Sequence, residues 1–430
     1  MKYGITEKRR CNTTLAKINF YGKKEGGCVD GFFSFLIAFS LILQHYKGFL
    51  GNAGISVLVL GLPYIVLGLL AKLQNEKISV EKIIFPLVLF SLYKAFIHEV
   101  NFMGIAQAIV IVIYYFAISE GVINLKSVFK YASRIAQVAS ILIIVQYVCH
   151  YILGFHLKLV PVSLLLPESS QWIAGAETGQ VGINGIRSEL YRPSAFFLEP
   201  SHMFLYVFPI LFVFLLSPNI DNWRKKIAIL LTVGLFLTTS GMGIGVSCFA
   251  WVLYLGFNSG KLNNIKLKNV FRIKNLIMLI TFCIVFIVLC FTVPFFRDSI
   301  VRIFVGESGG SNAIEGRTAQ GFNLIANLTG VKLLIGVTST TVGIQFNMAG
   351  FVATLYKFGI IGTFLSYAFY VKNAICQKVP YKWIAVVIVF VSFFSAHTHG
   401  IFYMLYYVII LMMGYNEKFI TGGKIRWKQM

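Results

Sequence analysis

The stretch Arg192-Pro193-Ser194-Ala195-Phe196-Phe197-Leu198-Glu199-Pro200-Ser201-His202 gathers a guanidinium, a carboxylate and an imidazole at the mouth of an apolar run that continues to Leu216. Charge at the edge of a membrane segment is expensive, so it marks a site or an anchor. Read as a helix starting at Ser194, the run places Glu199 about one turn in. Glu199 and His202, three positions apart, then share a helical face. A half-buried carboxylate there should hold its proton more tightly than in water, which suits a general base. The alternative is an interfacial helix start, with Glu199 near the positive end of the helix and Arg192 reaching back to the headgroups.

A second set of candidates is cationic. Arg187, Arg192, Arg297, Arg302 and Arg317 fall in two polar stretches that could converge over one cavity. Arginine is the better bidentate partner for phosphate and carboxylate, and a diphosphate leaving group needs positive charge placed around it beforehand. Plain loop solvation, or a local pair such as Arg187 with Glu189, would explain the same residues. Arg192 and Arg317 are the stronger candidates, because each stands just before an apolar element. They join Glu199 and His202 as the proposed catalytic set.

Two further segments carry small or titratable side chains. Leu237-Thr238-Thr239-Ser240-Gly241-Met242-Gly243 reads mainly as helix packing, although it could let backbone approach a ligand. Ser395-Ala396-His397-Thr398-His399-Gly400 offers two histidines, either of which could contact phosphate or a sugar hydroxyl. Histidines at i and i+2 do not share a helical face, so the spacing is poor for a shared metal. Interfacial placement alone would also account for them.

What is missing narrows the chemistry. The three aspartates, Asp30, Asp221 and Asp298, are isolated, so no DxD pair exists to hold a nucleotide-sugar metal. No phosphate-binding GxxxxGK[ST] loop is present. The seven cysteines show no CxxC or Cys/His spacing. The expectation is metal-free chemistry with no cofactor, on a lipid-linked substrate.

The elements that must position these groups are membrane helices. Of 430 residues, 57% are hydrophobic and 13% charged, and the mean hydropathy is +0.77. A soluble domain is nearer half apolar and a quarter charged. The net charge of +22 could indicate nucleic acid. Its distribution argues against that, because most Lys and Arg fall in segments that would all face one side, the positive-inside bias of a plasma-membrane protein. Apolar runs predict spans at about 31–46, 52–71, 83–97, 102–119, 135–153, 195–216, 227–239, 241–257, 276–296, 347–371, 383–399 and 401–414. The predicted fold is an all-α integral membrane protein of about 12 transmembrane helices, with 10 to 12 as the range. Residues 1–30 are basic and lack an early apolar core, so they read as a cytoplasmic tail rather than a signal peptide. The membrane domain is 31–414, with long extracytoplasmic loops at 154–194 and 297–346, and 415–430 is a second cytoplasmic tail.

Taken in order, these segments resemble the Wzy-type polysaccharide polymerases of the O-antigen polymerase/ligase family. The resemblance rests on Arg192 to His202 opening a span and on Leu237-Thr-Thr-Ser240-Gly241, similar to the family's LTxSR turn. It rests also on Arg317 opening the segment to Leu334-Ile335-Gly336-Val337, and on Asn347 to Leu355-Tyr-Lys-Phe-Gly359-Ile-Ile-Gly362, similar to its N…L…GxxG span. Gly241 departs from the pattern, standing where many relatives carry Arg, and no RX10G repeat is seen. The family implies a GT-C-like membrane glycosyltransferase architecture in the bacterial plasma membrane, making O-antigen, capsule or related glycans. Donor and acceptor would both be undecaprenyl-diphosphate-linked oligosaccharides. Glu199, with His202, would serve the attacking hydroxyl. Arg192 and Arg317 would stabilise the diphosphate, supported by Arg187, Arg297 and Arg302, and His397 or His399 would line the cavity. A chain-length regulator and a flippase are the implied protein partners, besides membrane lipids. An O-antigen ligase of the same architecture and a lipid-linked oligosaccharide flippase are the alternatives.

Overall fold

The computed structural model describes residues 28–74, 83–98, 100–166, 192–217, 221–257, 322–337 and 350–422. Their helices are α1 (Cys28–Ser40), α2 (Ala53–Leu73), α3 (Phe85–Tyr93), α4 (Phe102–Ser119), α5 (Leu125–Tyr151), α6 (Pro200–Leu216), α7 (Asn222–Leu237), α8 (Gly241–Phe257), α9 (Val331–Ile335), α10 (Gly350–Cys376), α11 (Tyr381–Phe394) and α12 (Ile401–Gly422). Four of them, α2, α4, α5 and α10, are long and apolar enough to cross a membrane. The shorter apolar helices include α6, α8, α11 and the first part of α12. Large apolar side chains such as Leu60, Leu67, Ile109, Phe364 and Ile375 face outward along α2, α4 and α10. So much exposed apolar surface is that of a membrane protein, with lipid covering what water cannot. The predicted span 276–296 lies outside the described residues.

Short polar caps set where several helices begin. Asn52 accepts a hydrogen bond from the Ile55 amide (2.8 Å), Asn101 from Gly104 (2.6 Å) and Asp221 from Arg224 (2.7 Å). Each satisfies an amide that a helix start leaves without a partner. Asn124 does the same for Ser127 at 3.1 Å, and it moves a predicted boundary. The segment 120–134, left between the predicted spans 102–119 and 135–153, is helical from Leu125. Lys126, Lys130 and Arg134 line its exposed face, while Val128, Ala132 and Ile135 are buried. Four-residue spacing makes this an amphipathic extension of α5, which an apolar-run criterion overlooks.

The core is built around α6. From Met203 to Phe212 its side chains are fully buried. Pro209 lacks an amide, so the Leu205 carbonyl four residues earlier loses its helical donor. The Tyr407 hydroxyl of α12 donates to that carbonyl at 3.2 Å. Tyr406 donates to the Tyr206 carbonyl at 2.7 Å, and Tyr403 to that of His202 at 3.3 Å. Tyr206 stacks on Tyr406 with centroids 4.8 Å apart and donates to the Ala38 carbonyl of α1 (3.0 Å). In an apolar interior these hydroxyls find the acceptors that water would otherwise supply. One row of tyrosines on α12 thus fixes the height of α6.

Two polar places lie at opposite ends of α2. A two-stranded turn, Lys47–Gly48 paired with Gly51–Asn52, joins the 3-10 turn Ile42–His45 to α2. About 30 Å along α2, by helical rise, Lys72 pairs with Glu120 at the end of α4, Nζ to Oε2 3.0 Å. The histidines and arginine of interest gather at the His45 end.

Candidate functional site

The helix that carries the Arg192–His202 motif begins later than its sequence predicts. Residues 194–199 are not helical, and Glu199 is extended, with φ −141° and ψ 155°, as the N-cap of α6. The cause is Pro200. A residue before proline is pushed out of the helical region, while proline itself suits the first helical position. Glu199 therefore stands at the helix mouth rather than one turn inside. Its carbonyl accepts from the amides of His202 (3.0 Å) and Met203 (3.2 Å), and its Oε2 accepts from the Ser201 hydroxyl (2.8 Å).

Upstream, the chain is pinned in an unusual shape. Ala195 is buried with φ +53°, a region L-residues visit at a cost. Its amide donates to the Gln146 Oε1 of α5 at 2.8 Å, and the Gln146 amide donates to the Leu157 carbonyl at 2.9 Å. Arg192 reaches across to the α7–α8 turn, its Nε donating to the Thr239 Oγ1 at 3.2 Å. Thr239 also has a positive φ, +57°, which is rarer still for a β-branched residue. Strained backbone of this kind persists only where the surroundings over-determine it, and it gathers at functional sites. The turn 237–243, read from sequence as packing, is thus also the seat of Arg192.

Three imidazoles and the carboxylate meet at the mouth of α6. Glu199, His202 and His397 each place one donor atom within 4.8 Å of the others. The His397 ring is edge-on to His202, and the His45 ring is stacked on it with centroids 4.7 Å apart and planes 9° from parallel. His202 is buried, Glu199 half-buried and His397 exposed, so the cluster grades from core to surface.

The structure divides the predicted site residues. Glu199, His202 and His397 come together, and Arg192 is held close by in sequence on the same strap. His399 does not join them. In the 3-10 turn Ala396–His399 it is buried and packs against Tyr367 of α10, with ring centroids 4.8 Å apart. The i, i+2 spacing that argued against a shared ligand is what separates the two rings. Arg187, Arg297, Arg302 and Arg317 lie outside the described residues. His45 was not anticipated. It is a lone histidine at the end of an apolar run, and nothing local in the sequence ties it to a residue more than 150 positions away.

A second irregular place joins the other two motif segments. Helix α10 is broken at Gly359 (φ +62°), and the end of α9 docks into the break. A Cβ on Gly359 would lie 2.3 Å from the Leu334 carbonyl oxygen, and one on Gly336 would lie 2.2 Å from that of Lys357. The Val337 amide donates to the Tyr356 carbonyl at 3.0 Å. The Tyr93 hydroxyl lies 2.8 Å from the Ile335 carbonyl and 2.9 Å from that of Phe358. Broken helices at membrane depth occur where protein or a cavity satisfies the freed backbone. Leu334–Val337 and Leu355–Gly362 are therefore one unit in space.

No family model, no curated protein and no solved structure matches this chain.

Proposed function

We propose that this protein is a polysaccharide polymerase that joins undecaprenyl-diphosphate-linked repeat units at the outer face of a bacterial plasma membrane. The observation that carries the reading is the convergence of Glu199, His202 and His397 at one end of an apolar helical bundle, with Arg192 a few residues upstream on the same strap and bonded to Thr239. An acceptor hydroxyl at this mouth attacks the anomeric carbon of the donor glycan. The bond from that carbon to the diphosphate oxygen breaks, and undecaprenyl diphosphate leaves with its electron pair. The hydroxyl proton passes to Glu199, oriented by Ser201 and His202. Arg192 and Arg317, with Arg187, Arg297 and Arg302, meet the diphosphate charge, and His397 lines the acceptor side.

In this reading the twelve-span topology keeps both tails cytoplasmic and turns the His45 end outward. The GT-C-like arrangement, the lipid-linked substrates, the chain-length regulator and the flippase belong to the same proposal. The chemistry asks for no metal or cofactor, since guanidinium groups supply the positive charge. A ligase would use the same groups on a different acceptor and add a finished chain once. The distinguishing experiment is a product gel from cells lacking the chromosomal copy and complemented with Glu199→Gln. Loss of all multiples of the repeat unit is expected, with single units still present; a normal ladder would remove Glu199 from the mechanism.

A further inference from the structure

We propose that Glu199, His202 and His397 form a binding site for a divalent transition-metal ion of the zinc class. Their donor atoms all lie within 4.8 Å of one another. Zinc bonds of about 2.0–2.2 Å bring such atoms to roughly 3–3.5 Å apart. Two imidazoles and one carboxylate suit zinc, whereas calcium and magnesium favour all-oxygen sets.

His202 is the independent observation. It is 2% exposed, and among the described residues neither of its ring nitrogens has a hydrogen-bond partner. Buried polar groups are nearly always matched, so an imidazole left this way asks for a ligand. A metal ion accepts the lone pair of one ring nitrogen and ties the ring to Glu199 and His397. The exposed His397 gives the ion a path from solvent. His45, stacked on His202, fixes the ring plane and acts as a positioning residue. Three protein donors leave at least one coordination position for water or an anion.

Binding has a consequence for the proposed transferase. A Glu199 oxygen engaged with the ion cannot take up a hydroxyl proton, so metal and acceptor compete for the site. Zinc would therefore be an inhibitor. That consequence rests on the proposed function; the binding does not.

The test uses untagged, full-length protein in detergent micelles, titrated with Co2+ as a spectroscopic stand-in for Zn2+. One equivalent per chain is expected, with the visible absorption of Co2+ in a low-coordinate nitrogen and oxygen site, displaced by Zn2+ and not by Mg2+. His397→Ala removes an exposed side chain, and Glu199→Gln is nearly isosteric. Each should weaken binding by at least about tenfold, the lower end of what losing even an outer-shell partner costs. His45→Ala should keep the stoichiometry and weaken the affinity. Absence of stoichiometric binding in the native protein, or equal binding in the His397→Ala and Glu199→Gln forms, overturns the proposal. No glycan is present in the titration. A chain that binds Co2+ but makes no polymer keeps the metal site and loses the transferase reading, and a chain that polymerises without binding does the reverse.

Discussion

The His397 ring stands edge-on to the His202 ring, with centroids 4.5 Å apart and planes 87° from parallel. These residues are 195 positions apart in sequence and come from the α11–α12 connection and the first turn of α6. Their meeting makes one site out of two motifs that the sequence presents separately. It brings the exposed ring against the buried one, beside the carboxylate of Glu199.

Glu199→Gln preserves the volume and the N-cap position and removes the proton acceptor. Chain elongation should fall by about 10²–10⁴-fold, the range general base catalysis supplies. The protein should reach the membrane in normal amount, which quantitative immunoblotting of membrane fractions checks.

The strained strap before α6 makes a stability test. Ala195 holds φ +53° with its amide bonded to Gln146. Ala195→Gly removes the left-handed penalty of about 1–2 kcal/mol, partly offset by the greater freedom of the unfolded chain. The melting temperature should stay level or rise. Ala195→Val adds branching to a buried site and should lower it.

Tyr407→Phe deletes the donor that replaces the amide missing at Pro209. The Leu205 carbonyl would then be buried without a partner, costing about 1–3 kcal/mol. Thermal unfolding in detergent should register the loss, and Pro209→Ala in the same background should restore part of it by returning the helical donor.

At the α9–α10 junction, Gly336 and Gly359 both hold positive φ and pack backbone against backbone. Alanine at either position meets a carbonyl oxygen at less than 2.5 Å. Overpacking of 1–3 kcal/mol is typical, with about 1–2 kcal/mol more for the left-handed backbone. Either variant should yield less folded protein by size-exclusion chromatography, whereas Gly245→Ala, facing open space in α8, should not.

Much of the helical layout was legible in the sequence, because apolar runs bounded by charge are a direct consequence of the membrane as solvent. The boundaries were less so. The helix start at Leu125 depended on Asn124 and a basic stripe, and that at Pro200 on the restriction proline places on Glu199. Glu199 and His202 do lie together, but not on one helical face as their spacing suggested, because Glu199 is the extended cap of α6. The arrival of His397 and His45 was not legible, since it depends on how four connections assemble at one end of the bundle. The Arg192–Thr239 bond was hidden for a similar reason. Small hydroxyl residues at a helix turn look alike whether they pack helices or seat an arginine.

The most direct measurement is made in proteoliposomes. Purified protein is given the undecaprenyl-diphosphate-linked repeat unit of its own gene cluster, with a chelator and without nucleotide, and the glycans are resolved on a gel. The account predicts a ladder of repeat-unit multiples, abolished by Glu199→Gln and by Arg192→Ala. Movement of the intact lipid-linked unit across the bilayer with no ladder would contradict it and make the protein a transporter.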